Sequence, residues 1–166
     1  MAYSIVNVSN LPGIKDGSML KSFKYIKNGN GAEIENGHVV KLDGILAKTD
    51  REIFKGVDVA AEDDLADVVL VAGVELDYKA GNRTTDAFIN KANAPVRGYH
   101  FHKGGTFEVS ADALDATGEI TVGTAIVLAA GTKMAAVASA SGATQVGEVI
   151  EVYTSAGKQM VTVLCK

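Results

Sequence analysis

Few side chains in this 166-residue sequence are suited to chemistry, and His38, His100 and His102 come first because imidazole both binds metals and moves protons. In a strand reading Tyr99-His100-Phe101-His102, the two histidines point to one side, with their Cα atoms roughly 7 Å apart. That pair, with His38 or an acid as third ligand, is the candidate zinc set. The alternative is a half-exposed strand with Tyr99 and Phe101 inward and the imidazoles in water. No H-E-x-x-H or C-x-x-C supports the metal set. Cys165 is the single cysteine, which excludes an intrachain disulfide and a multi-cysteine zinc site. A catalytic thiolate needs a held base and an oxyanion site, and nothing beside Cys165 in the sequence supplies them. Asp63-Asp64 reads as a solvated loop pair, since a carboxyl needs a desolvating cleft to become a useful acid.

Nucleotide and acyl-transfer signatures are absent. There is no G-x-x-x-x-G-K-[ST], no G-x-G-x-x-G and no G-x-S-x-G; Asn28-Gly29-Asn30-Gly31 is a turn, and Ser139-Ala140-Ser141-Gly142 lacks the first glycine of an elbow. The expectation is therefore a protein that is not an enzyme, has no cofactor and has no assigned metal.

The framework that would carry these residues is rich in short strands. Hydrophobic residues are 47% and charged residues 22%, a globular balance that excludes wholesale disorder. Gly is 18 and Pro only 2, with abundant Val, the mix of strands joined by glycine turns. A net charge of -4 and 6% aromatics argue against a nucleic-acid partner built on phosphate contacts and stacking. No 18-residue apolar window predicts a membrane helix, and the first residues do not read as a secretory signal. Charge is uneven. Residues 1–29 hold Lys15, Lys21, Lys24 and Lys27 against Asp16, while residues 50–77 hold nine carboxylates against Arg51 and Lys55. Each block is either a docking surface or simply a solvated one. Between Ile120 and Gly147 only Lys133 is charged, a composition suited to protein contact.

Strands are expected at Ser4–Val8, His38–Leu42, Arg51–Val59, Asp67–Leu76, Val96–Phe101, Thr106–Val109, Thr124–Leu128, Val146–Tyr153 and Lys158–Leu164. The run Asp67–Leu76 reads as buried on both faces. Asn28-Gly29 predicts one hairpin turn, Lys103-Gly104-Gly105 a second and Ser155-Ala156-Gly157 a third. In the last hairpin, alternation puts Val149, Glu151 and Tyr153 on one face and Ile150 and Val152 on the other. One short helix is expected at Thr85–Ala92, capped by Thr84 or Thr85 and stopped before Pro95, and one helical turn at Ala111–Leu114.

The segment Glu33–Leu42 echoes Glu119–Leu128 as E-I-x-x-G-x-x-(V/I)-x-L, which is either a duplication or ordinary strand-turn grammar. The fold expected is mainly β, a compact barrel or sandwich-like domain with one short helix and an extended N-terminal arm. Residues 1–22 form the arm and 23–166 the β-rich domain, divisible into two similar lobes at about 23–82 and 95–166.

The succession of Glu33–Gly44, Arg51–Val57, Val68–Tyr78, Arg97–Ser110, Val122–Met134 and Gln145–Tyr153 resembles small head proteins of tailed bacteriophages, namely capsid decoration (cement) proteins and the capsid-bound part of head-fibre proteins. Val122–Val152 carries most of the likeness. The resemblance implies attachment to the outer surface of the capsid after synthesis in the host cytoplasm. It also implies binding to the major capsid protein, self-association as a homotrimer, and bridging of capsomers without any reaction. The alternative function is a small β-barrel ligand- or metal-binding module using His38, His100 and His102. A third reading, an auxiliary hydrolase domain, has no residue to carry it.

Overall fold

The computed structural model describes residues 3–46, 52–75 and 87–166. Two sheets dominate. The first contains β2 (Leu20–Lys27), β3 (Asn30–Gly31), β4 (Val39–Ile45), β5 (Ile53–Val57), β6 (Val68–Val71) and β7 (Val96–His100). They run in the order β3-β2-β5-β4-β6-β7, and β7 pairs back onto β2, closing a five-stranded barrel. Only β2 and β5 pair in parallel. The second sheet contains β1 (Val6–Asn7), β8 (Thr106–Ser110), β9 (Leu114–Ala116), β10 (Ala125–Val127), β11 (Met134–Val137), β12 (Gln145–Ser155) and β13 (Lys158–Cys165), in the order β1-β8-β13-β12-β10-β11-β9.

Alternation along the barrel strands builds two cores at once. On β6 all four residues are buried: Val68 and Leu70 face the second sheet, while Val69 and Val71 face the barrel interior. The expected doubly buried strand is thus four residues long; Leu76 lies outside the described residues. Phe23 fills the barrel, and a Cβ on Gly56 or Gly98 would meet its ring at 2.6 and 3.2 Å, so these strands carry glycine where the ring needs room. Phe107, Val109, Ile126, Met134, Val149, Val161 and Val163 complete the core shared with the barrel. Backbone bonds add to that joint: Val59 and Gly131 exchange hydrogen bonds at 2.8 and 3.0 Å, and Val39 N–H donates to Thr132 O at 2.7 Å.

Two turns take the geometry their residues favour. Asn28 and Gly29 (φ 51° and 79°) join β2 to β3, and Ala156 and Gly157 (φ 51° and 78°) join β12 to β13. The repeated motif has the same local form in both sheets: Gly37 (φ 82°) precedes β4 and Gly123 (φ 90°) precedes β10. The sheets divide the chain after β7, which belongs to the barrel, so strands of the first sheet lie within residues 20–100.

Three expectations need correction. The stretch Lys103-Gly104-Gly105 is not a hairpin turn but a crossover, since β7 lies in the barrel and β8 in the other sheet. The helix expected at Thr85–Ala92 is not formed over 88–92; of its described residues Ala87 alone is in a 3-10 turn, and Thr84 and Thr85 lie outside the described residues. Asn90 instead exchanges backbone bonds with Ile34, both at 3.1 Å, and its amide donates to Ile34 O and to Asn36 Oδ1. These distant partners replace the bonds a helix would make. The single helical turn expected at Ala111–Leu114 does form, as a 3-10 turn over Ala111–Ala113 with Leu114 as its C-cap. The segment read as an arm is extended but built into the body: Leu11 is 2% exposed in the shared core, Ser4 Oγ donates to Asn36 O at 2.6 Å, and Ile5 and Ser110 bond in both directions. Its last three residues begin β2.

Candidate functional site

The three histidines are not brought together. His100 on β7 and His102 just beyond it line one cleft of about 530 Å³. His38, which precedes β4, lines a separate hollow of about 150 Å³ with Glu33, Glu35 and Thr132. Among the described residues, no three His, Cys, Asp or Glu side chains are grouped to share a metal ion. His38 is 8% exposed; its Nδ1 lies 3.0 Å from Thr132 Oγ1, and its buried Nε2 has no hydrogen-bond partner. Burial lowers its pKa first of all, with Lys133 adding to that effect and Glu35, Asp112 and Asp115 opposing it. A neutral imidazole holding a strand entry in place is a structural role.

Cys165 is buried at the end of β13, and burial raises the pKa of its thiol. That is the reverse of what a nucleophile needs. The Asp63-Asp64 pair is engaged: Asp63 accepts from Lys41 Nζ at 2.5 Å and from Ala60 N–H at 2.7 Å, and Asp64 caps a 3-10 turn by accepting from Ala66 N–H. Asp58, in the same acidic stretch, accepts from the buried Tyr25 hydroxyl at 2.5 Å. Much of the acidic block therefore holds the barrel together.

A sparsely charged surface forms at the β9 end of the second sheet. Among the described residues β9 pairs with β11 alone, in parallel, which leaves its other edge without a strand partner. Residues 117–124 and 136–138 enclose a shallow depression of about 420 Å³ whose lining carries one charged residue, Glu119. Val122 stands 67% exposed on this loop and Ile150 44% exposed on β12. Gly123 N–H donates to Val149 O at 2.8 Å, which sets the two on adjoining segments. Lys133, the single cation in 120–147, is turned aside to donate to Asp112 O at 2.7 Å. The neutral stretch seen in the sequence thus divides between core, at Ala125–Leu128 and Met134, and a depression lined by one charged residue. Ile150 is exposed because it alternates with buried Val149 on β12.

No helix among the described residues is long and apolar enough to cross a membrane. Comparison with protein-family models, curated proteins and solved structures finds no match for this chain.

Proposed function

We propose that this chain is a non-enzymatic capsid decoration protein of a tailed bacteriophage, bound to the outer surface of the head and bridging neighbouring capsomers. The observation that carries the reading is the sparsely charged depression at Val122, with exposed Ile150 on β12 and a β9 edge that lacks a strand partner among the described residues. Interface centres are depleted in charge, and an open strand edge offers backbone groups to a partner. A two-sheet body with one shared core gives a rigid block, the property a clamp requires. The sequence resemblance to head proteins supplies the identity of the partner, the major capsid protein, and the homotrimer as working assembly. A specific contact buries roughly 1,200–2,000 Å² in total, and many copies on one shell gain by avidity.

Sedimentation with expanded, DNA-free heads of the phage encoding the chain tests this reading. Saturable co-sedimentation, lost in Val122→Asp, is the expected result. Binding no greater than that of an unrelated β protein overturns it.

A further inference from the structure

The cleft beneath His100 and His102 differs in character from every other surface described. Its lining includes Lys21, His100, His102, Lys103 and Lys166, and no Asp or Glu side chain of the described residues lines it. In a chain with 20 acids against 16 Lys and Arg, that is a local reversal of charge. Lys21 and Lys103 form no ion pair among the described residues. Glu148 pairs with Lys166 at the edge of the cleft, and Asp67 acts on His100 without lining it. The floor is apolar, made by Met19, Phe101 and the buried Cys165. A volume of about 530 Å³ is the size that encloses a small organic molecule. An apolar floor below a cationic rim selects a ligand with both characters, because a buried anion needs paired donors and an apolar body gains by leaving water.

We propose that this cleft is a binding site for a small organic anion, one carboxylate or phosphate group attached to an apolar body. The anionic group sits between Lys21 and Lys103, the imidazoles offer N–H donors, and the apolar part lies on Phe101 and Met19. Such a site goes beyond a lattice-binding role and does not depend on it.

The test is an NMR titration of the full chain with phenyl phosphate and with benzoate, which separate the two sources of charge. Benzyl alcohol, benzylammonium and inorganic phosphate serve as comparators. Expected are saturable amide shifts at His100–Lys103 and Cys165 with at least one of the two aryl anions, and at least tenfold weaker binding of all three comparators. The double variant K21Q/K103Q should weaken the anion at least tenfold while keeping its thermal midpoint. If that variant does not fold, the site of the shifts in the unaltered chain decides. Absence of saturable binding, shifts elsewhere, or equal binding of the alcohol or of inorganic phosphate overturns the proposal. Preference for an Asp/Glu-rich peptide over both aryl anions also overturns it, in favour of a protein partner.

Discussion

Val149 and Val152 face the same core although they stand three positions apart along one strand. The ladder pairs Val149 with Val163 and then Glu151 with Thr162, so Ile150 is bulged out of register. Val149 is 0% exposed, and Val152 packs against the same cluster. Strict alternation would place the two valines on opposite faces; one extra residue in the ladder restores them to one side. The same bulge leaves Glu151 exposed beside Ile150, whose side chain already points away from the core next to inward Val149.

Aspartate scanning of this strand reads the bulge directly. Val149→Asp and Val152→Asp should both destabilise, the first by about 3 kcal/mol or more, because each buries a charge without a partner. Ile150→Asp should stay within roughly 0.5 kcal/mol of the unaltered chain. Urea unfolding checks this; loss at Val149 alone would mean the bulge is absent.

Truncation to residue 23 should prevent folding rather than free a docking arm. The deletion removes Leu11 from the core, the Ser4 and Ile5 bonds, and the first three residues of β2. Dichroism and thermal melting of the truncated chain should show no cooperative unfolding.

His38 makes stability fall on mild acidification. Its pKa in the folded chain lies below the ordinary value of about 6.5. The unfolded chain therefore takes the proton first, and stability declines as pH drops from near 7 towards the lowered folded value, then levels. The depressed pKa of His100, caused by burial and then by Lys21, adds to the same window. The slope of unfolding free energy against pH should be smaller in His38→Gln than in the unaltered chain. An unchanged slope would remove His38 from the account.

The β12–β13 turn carries alanine where a positive φ suits asparagine or glycine. Ala156→Asn should stabilise by roughly 0.5–1 kcal/mol, since it relieves a left-handed alanine. Matched urea curves with equal slopes measure it.

Sequence patterns revealed the mainly β fold because turn chemistry is local: Asn28-Gly29 and Ala156-Gly157 mark their hairpins on their own. The double burial of Val68–Val71 was visible too, since a continuous β-branched run has no polar face to expose. What stayed hidden depends on distant partners. Lys21, Lys24 and Lys27 disguised β2, whose inward Phe23 and Tyr25 alternate with them. Asn90 looked like a helix residue until Ile34 claimed its backbone. The crossover after His100 follows from which sheet β8 joins, a decision made by β13 far along the chain. As for the site, residues 120–147 announced by composition a stretch poor in charge, which divides between core and a sparsely charged depression. The cationic cleft gathers Lys21, His100 and Lys103 from separate stretches and left no local signal.

Quantitative mass spectrometry of gradient-purified phage particles, with and without brief surface proteolysis, tests the structural role most directly. The account predicts this chain at a fixed ratio to the major capsid protein and exposed on the outside of the shell. Recovery of the chain solely in the soluble fraction of infected cells would contradict it.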